Sequence, residues 1–574
     1  MTNISKQKRE QFISVLKELK LKNNDEDNLK LINDLENFLI EKKYGLVWEE
    51  HKEKVDEILE ENVPVFVEKK DSSIISTNSD INFLLEGDNL HSLYLLEKTH
   101  KESIDVIYID PPYNTGNKDF KYDDNFISKD DGFKHSKWIS FINNRLRIAR
   151  NLLKKDGIIA ISIDENEYAP LKLLCDEIFG EQNHLSTHHL QVRYENKNLN
   201  EDNDWQPIME YVLIYEKVKG EFKANKPYKP YDLSKFKYKI NELSSGEVIE
   251  VGGRKVTIFK NNEWEIEEVE GQINGLKETW ASGSLVRQSG TAAEFLAKHL
   301  IQRKDKDGLN VLYKVDGMGK DGDGLGYRYI TGPKKANATR GKFYTGVPIE
   351  RKIELKKGVS NKTKPITNYI NLSGDFGNIR HEGKVPFNNG KKPIKLIKEI
   401  INYHSNKDAI ILDFFAGSGS TGHAVLDLNK IDNGNRKFIL CTNNENNICY
   451  DVTLKRMNNI SEHYKYSLKH FKTDIISKNV KEDRYLSHKL MERIKELVEL
   501  EYHVDLNESK FKLVFDEEEI SNLLSEKKNI IKIFKPSYVL LSTKELNYIS
   551  KNKIEVVNIP DYYYLSELRE VGEI

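Results

Sequence analysis

The sequence predicts an α/β fold: a mostly parallel sheet with helices on its faces, interrupted once by an inserted domain. Two observations predict it. Short apolar runs bounded by turn residues alternate with amphipathic stretches over about 80–220, fade over about 220–370, and resume from about 391. Two of those runs, ending at Asp110 and Asp413, pass directly into segments rich in Pro or Gly, as strands do where an α/β sheet exposes its ligand-binding edge.

Taken in order, residues 1 to about 60 carry Leu16, Leu19 and Leu21, then Leu29, Ile32, Leu35, Phe38 and Leu39, near helical spacing among charges. They predict a small helical cap. INFLLEGD (81–88) predicts a strand ending in a turn, and IDVIYID (104–110) a buried strand running into Pro-Pro. Over 136–157, Trp138, Ile142, Leu146 and Ala149 recur on one helical face, with Gly157 as the C-terminal stop. GIIAISID (157–164) predicts a buried strand, 166–180 a helix, and YVLIYEK (211–217) a further strand. From about 220 to 370 the strands shorten and Gly317, Gly319, Gly322, Gly324 and Gly326 cluster, as in an irregular insert of mixed structure. Its end is basic: residues 331–370 hold ten Lys or Arg (Lys334, Lys335, Arg340, Lys342, Arg351, Lys352, Lys356, Lys357, Lys362 and Lys364) against Glu350 and Glu354. Then KPIKLIKEIINYH (392–404) predicts a helix, AIILDFF (409–415) a strand, SGSTGHAVLDLN (418–429) a helix and KFILCTNNE (437–445) a strand. Leu486 to Leu500 form an amphipathic helical pattern, and NIIKIFKPSYVLLS (529–542) is apolar.

Bulk properties narrow the function. A net charge of −2 over 574 residues makes the whole chain no general polyanion binder, so any nucleic-acid contact must come from local patches. The three cysteines, Cys175, Cys441 and Cys449, form no CxxC pair, which argues against a disulfide scaffold or zinc ribbon and fits a reducing cytoplasm. The charged N-terminus lacks the apolar core of a secretory signal, and no run approaches the roughly 18 apolar residues of a membrane span. No G-x-x-x-x-G-K-[ST] sequence is present.

Two motifs carry chemistry. Asp413 to Gly422 (DFFAGSGSTG) joins a buried strand to a helix. Its glycines let backbone approach a ligand, and the helix start offers free N–H groups. Gly417, Gly419 and Gly422 also satisfy GxGxxG, which suits a dinucleotide. The strand-end carboxylate of Asp413 would repel a pyrophosphate and suits a cationic or polyhydroxylated ligand. In Asp110-Pro111-Pro112-Tyr113 the prolines remove two donors, leaving carbonyls and a carboxylate as an acceptor surface for an exocyclic amine. Accepting the amine's hydrogen bonds would localise its lone pair for attack on an electrophile. Tyr113 offers a face on which a base can stack. Simpler readings, a tight βα turn and a proline turn capping a strand, apply to each motif alone more readily than to both together.

DPPY and D-x-F-x-G-x-G resemble the catalytic and cofactor motifs of amino-methylating DNA methyltransferases. DPPY precedes the cofactor loop by 303 positions, an order resembling the β-class permutation with target recognition inserted between. LLEGDNLHSL (84–93), YGLVWEE (44–50), the helix from Trp138 to Gly157 and FILCTNNEN (438–446) resemble modification (Mod) subunits of Type III restriction-modification systems. The resemblance implies a Rossmann-like methyltransferase sheet with helical N- and C-terminal appendages. It implies five segments: 1–65 helical, 66–220 the first methyltransferase half, 221–370 target recognition, 371–465 the second half, and 466–574 for dimerisation or partner binding. S-adenosyl-L-methionine would be held by Asp413, Phe415, Ala416, Gly417, Ser418, Gly419 and Thr421, with Lys392, Pro393 and Asp88 nearby and Glu445 on the ribose hydroxyls. Asp110, Pro111, Pro112 and Tyr113 would hold a flipped adenine for N6 methylation. Implied partners are double-stranded DNA, a second copy of the chain and a separate restriction (helicase/nuclease) subunit, in a bacterial cytoplasm.

The basic run, above all Lys334, Lys335, Arg340, Lys342, Arg351 and Lys352, reads as phosphate contact. His184, His188 and His189 lack a second ligand motif, so no metal is expected. Three competing readings stand: an N4-cytosine methyltransferase, which shares the amine chemistry but more often begins its motif with Ser; a Rossmann dehydrogenase, which gives DPPY no task; and a catalytically idle DNA-binding subunit. A cytosine-C5 enzyme would need a nucleophilic Cys, usually beside Pro, and none of the three cysteines fits.

Overall fold

The computed structural model describes residues 4–22, 28–32, 35, 48–76, 80–122, 125–196, 204–228, 231–282, 291–357, 363–385, 391–479, 485–526, 529–559 and 563–573. Phe38, Leu39, most of YGLVWEE and Lys362 lie outside them. The chain forms two compact units, one of Met1–Asn225 with Thr367–Ile574 and one of Lys226–Ile366.

The first unit is built on a ten-stranded sheet. Its strands are β1 (Asn62–Glu68), β2 (Ile81–Glu86), β3 (Ile104–Ile109), β4 (Leu153–Ile163), β5 (His184–Gln191), β6 (Met209–Glu216), β7 (Tyr369–Asn371), β8 (Ile410–Asp413), β9 (Lys437–Thr442) and β10 (Ser467–Ser477). They lie in the order β1-β10-β2-β9-β8-β3-β4-β6-β5-β7. Only β1 and β6 run against the others. Every residue of β2 and β3 is buried, which explains their largely apolar character: strands covered by helices on both faces have no polar face to show. The helices that matter for the site are α1 (Asn89–Thr99), α2 (Lys134–Leu152), α3 (Ile394–Ile401) and α4 (Ser420–Asp432).

The topology joins what the sequence separates. β8 pairs in parallel with β3, Ile411 opposite Val106 and Leu412 opposite Ile107. From β8 the chain proceeds outward to β9, and from β3 outward to β4 on the other side. The sheet therefore changes winding direction between β8 and β3, the position beyond whose carboxyl ends α/β sheets in general bind ligands. Buried Asp105, on β3, reinforces this pairing by accepting from the Ile410 N–H at 2.9 Å and from Asn406 Nδ2 at 3.0 Å.

Four elements differ from the sequence reading. Helix α2 ends at Leu152, and Gly157 lies inside the eleven-residue strand β4 rather than stopping a helix. The ladder jumps there, from Ile104 opposite Leu153 to Val106 opposite Ile158. A Cβ at Gly157 would stand 2.9 Å from the Ile104 carbonyl oxygen, so the glycine serves close approach at a bulge. The expected helix over 166–180 is α-helical only over Tyr168–Cys175 and closes in a wider turn to Gly180. The insert of mixed structure is more regular than its sequence suggests: an eight-stranded sheet, antiparallel at every pairing, with short helices such as Thr291–Phe295 and Ile349–Lys357. Its edge strands, Glu247–Val251 and Trp264–Glu268, are mostly exposed and charged, which masks the period-two signal. Its cores are formed by Val256, Ile258, Leu296, Leu300 and Val315 and, separately, by Phe259, Leu276, Leu312, Tyr329 and Tyr344.

The C-terminal residues are not a helical appendage. β10 is a strand of the main sheet, and the helix Ile494–Tyr502 packs Leu497, Val498 and Leu500 into the main core. Buried Lys469 ties them together, 2.7 Å from Glu499, 2.8 Å from Asp505 and 3.2 Å from Glu68. A small parallel sheet of Phe511–Leu513, Lys532–Lys535 and Glu555–Asn558 follows. Among the described residues no helix is long and apolar enough to cross a membrane.

Candidate active site

The two motifs meet at one edge. β3 delivers Asp110 and β8 delivers Asp413, and Asp110 adds to the burial that raises the proton affinity of Asp413.

Asp413 is buried and spends both oxygens on its own loop. Oδ1 accepts from the Phe415 N–H at 3.0 Å and Oδ2 from the Thr421 hydroxyl at 2.5 Å. Burial pushes its carboxyl up to about 7, while those two bonds pull it down. Asp413 therefore shapes the turn from the strand end across to α4. Gly417 and Gly419 hold positive φ, +48° and +74°. A Cβ on Gly417 would meet only the Phe415 carbonyl oxygen, at 3.8 Å, so the main chain there faces open space. The far side of the loop is pinned by residues the motif does not contain. Thr453 Oγ1 donates to the Gly417 carbonyl at 2.5 Å, and the fully buried Arg456 donates to Ser418 Oγ at 3.1 Å and Ser420 Oγ at 2.6 Å.

The DPPY turn is equally braced. The buried Trp138 of α2 donates its indole N–H to the Pro112 carbonyl at 2.7 Å. Asn114, at φ +57°, donates to the Lys134 carbonyl at 3.1 Å and to buried Glu167 at 2.6 Å, and His135 meets the same Glu167 oxygen at 2.7 Å. Tyr113 donates its hydroxyl to Glu210 Oε2 at 3.0 Å. The Pro112 carbonyl is thus taken, and the free acceptors of the turn are the Pro111 carbonyl and Asp110. Asp110 Oδ1 is buried and accepts no hydrogen bond of good geometry among the described residues. Its nearest cation, Lys392 Nζ, stands 3.3 Å away. Burial, and then Glu210, push the Asp110 carboxyl above the usual carboxylate range, and Lys392 opposes them.

The DNA methylase family profile matches residues 104–451, a span that begins with β3 and ends beyond the Asp413 loop. The chain belongs to the DNA methylase family. It is 32% identical over 407 residues to the Mod subunit of the Type III restriction-modification enzyme StyLTI of Salmonella typhimurium, covering 67% of this chain and 56% of that one. It is 28% identical over 391 residues to the EcoP15I Mod subunit of Escherichia coli, covering 62% and 58%. To the Type II methyltransferase M.KpnI of Klebsiella pneumoniae it is 29% identical over 431 residues, covering 71% and 93%. The chain therefore spans a little over half the length of the Mod subunits it matches.

The fold brings some of the other expected site residues to this edge and not others. Asp88 caps α1, accepting from the Leu90 N–H at 2.8 Å, with Arg145 at 3.4 Å. Its neighbour Asn89 donates to the Phe414 carbonyl at 2.9 Å, which seats the α1 start against the Asp413 loop. Phe415 packs on Phe141 of α2. Glu445, just past β9, is about half exposed and pairs with Lys121 at 3.1 Å. Pro393 opens α3. Lys392, expected with the cofactor residues, lies instead among the DPPY residues. Its ammonium is 2.9 Å from Glu210, 3.3 Å from Asp110 and 4.7 Å from the centre of the Tyr113 ring. The sequence does not single out Glu210; its place near the start of β6, the reversed strand separated from β3 by β4, is set by topology alone.

In the second unit Lys334, Lys335 and Arg340 are exposed. Lys342 pairs with Glu278 at 2.7 Å, Lys352 donates to the Asp323 carbonyl at 2.9 Å, and Arg351 is buried against Glu354. The three histidines lie on strand β5, where His188 is buried beside Tyr403 Oη at 2.9 Å and His189 is exposed.

Proposed function

We propose that the chain is a site-specific DNA methyltransferase that transfers a methyl group from S-adenosyl-L-methionine to N6 of an adenine in double-stranded DNA. The observation that carries this reading is Asp110 Oδ1, a buried acceptor with no hydrogen bond of good geometry among the described residues, held beside a glycine loop at the switch point of the sheet. The cofactor residues fit a cationic, hydroxylated ligand: open main chain at Gly417, the carboxylate of Glu445 near the end of the neighbouring strand, and no lysine or arginine among the loop residues 413–422. Bound there, S-adenosylmethionine supplies an electrophilic methyl group.

The protein's own residues do the rest. A base in a duplex cannot reach this edge, so the target leaves the stack. Tyr113, its ring fixed by the hydroxyl bond to Glu210 and covered on one face by Lys392, receives the base on the other face. Asp110 Oδ1 and the Pro111 carbonyl accept the two amine hydrogens, which leaves the nitrogen lone pair directed at the methyl carbon. A carbon–nitrogen bond forms as the carbon–sulfur bond breaks. Asp110 is placed to take the proton the amine sheds, since burial raises its proton affinity. Rate comes from positioning and from fixed acceptors facing developing positive charge.

Adenine over cytosine is favoured by Asp at the first motif position. The similarity to Mod subunits supports a modification and sequence-recognition role in a Type III system, with a homodimer and a separate restriction subunit as partners in a bacterial cytoplasm. The second unit supplies target recognition, with Lys334, Lys335 and Arg340 on DNA phosphates.

The test is Asp110→Ala, assayed with tritiated S-adenosylmethionine and unmethylated DNA. Transfer falls at least about a hundredfold, as loss of one transition-state acceptor does, while calorimetric cofactor affinity stays within about twofold. Near-normal turnover in the variant contradicts the assignment.

A further inference from the structure

Lys392 Nζ stands between two carboxylates, and the two contacts differ. It makes a short hydrogen bond to Glu210 Oε2 at 2.9 Å and a longer contact to Asp110 Oδ1 at 3.3 Å, and among the described residues that oxygen accepts no hydrogen bond of good geometry. The ammonium is nearly inaccessible and sits 4.7 Å from the Tyr113 ring centre and 5.8 Å from that of Phe376. Its position is fixed by the chain, since Pro393 follows immediately and opens α3. A buried carboxylate without a cation would take up a proton and present an O–H where an amine needs an acceptor.

We infer that Lys392 is a positioning residue that keeps Asp110 ionised, and that Glu210 retains the ammonium so that the target amine, not the lysine, takes the hydrogen-bonding position on Asp110. This rests on the methyltransferase reading. The two glutamate contacts, from Lys392 and from the Tyr113 hydroxyl on the same oxygen, make Glu210 the anchor of both the charge and the stacking ring.

The sign of the effect separates this role from a structural one. The groups facing Asp110 are Lys392 before α3, Glu210 on β6, Tyr113 in its own turn, Tyr108 on β3 and Asp413 on β8. Asp110 works as the ionised acceptor, so activity is lost as pH falls through its titration. Removing a cation moves that loss to higher pH, and removing an anion moves it to lower pH.

The experiment is the pH dependence of kcat for methyl transfer by the full chain, wild type against Lys392→Met, Lys392→Arg and Glu210→Gln. The acid limb of Lys392→Met moves up by roughly one to three pH units, the span over which a neighbouring charge shifts a carboxyl. Glu210→Gln moves it down, and Lys392→Arg restores the wild-type limb. Variants that lose kcat equally at all pH values, with an unmoved limb, overturn the inference while leaving the methyltransferase reading intact. A wild-type chain that transfers no methyl group at any pH overturns both.

Discussion

Trp138→Phe tests whether the DPPY turn is held by α2. The indole N–H is the donor to the Pro112 carbonyl, at 2.7 Å, and the side chain is fully buried. Phe keeps an aromatic ring but removes the donor and about a third of the ring atoms. Leaving the partly exposed carbonyl unpaired costs about 1–2 kcal/mol, and the cavity left by the smaller ring costs roughly another 1–2 kcal/mol. The expected loss is therefore about 2–4 kcal/mol in urea unfolding of the catalytic unit. The catalytic consequence is larger than the stability loss suggests. Pro112 lies two residues from Asp110, and a shift of about 1 Å in a reacting geometry lowers rate by up to about a hundredfold. The cofactor loop hangs on β8 and is braced by Thr453 and Arg456, so cofactor affinity stays within about twofold. Urea midpoints, calorimetry and single-turnover methyl transfer together give the answer. Unchanged single-turnover rates in a folded variant would refute the view that this hydrogen bond positions the turn.

Other expectations concern separate parts of the molecule. Thr421→Val removes the hydroxyl from Asp413 and weakens cofactor binding by roughly ten- to a hundredfold, from about 1.5–3 kcal/mol for a hydrogen bond to a charged group; unchanged calorimetric affinity would contradict it. Asp413, with its folded proton affinity raised by burial to about 7, favours the folded state more as pH falls from 8 toward 5, since the cost of burying its ionised form is full above about 7 and fades below. Asp413→Asn removes that cost, so its stability relative to wild type is greater at pH 8 than at pH 5, read from melts at both; a constant difference would count against it. Gly157→Ala drives a Cβ against the Ile104 carbonyl oxygen and destabilises by about 1–3 kcal/mol, as overpacking does, with the urea midpoint as the check. Cys175, Cys441 and Cys449 are buried, with burial pushing each thiol up, so native protein resists thiol reagents that label all three after unfolding.

How far the sequence reaches can be argued from particular residues. Buried strands such as Ile104–Ile109 and Lys437–Thr442 are mostly apolar because both faces are covered, so their existence and type are legible. The DPPY and glycine-loop motifs are legible for a related reason: each concentrates unusual residue types where one backbone turn demands them. What the sequence hides is support from a distance. Trp138 reads as a core residue on a helical face, and nothing in its spacing shows that its N–H reaches Pro112. Glu210 and Arg456 are ordinary charged residues until the sheet order brings them to the turn and the loop. Lys392 reads from the sequence as a candidate cofactor residue, and only the fold places it beside Asp110. The second unit was hardest, since half-exposed antiparallel strands bearing many charges lack the continuous apolar runs that mark a buried sheet.

The most direct test of the central claim is methylation of unmethylated genomic DNA by the purified chain with S-adenosyl-L-methionine, followed by long-read sequencing of modified bases. N6-methyladenine confined to one short asymmetric sequence, and absent with Asp110→Ala, is the predicted result. N4-methylcytosine would keep the amine chemistry and contradict the adenine assignment, and no modified base from a chain that binds the cofactor would contradict methyl transfer by this chain alone.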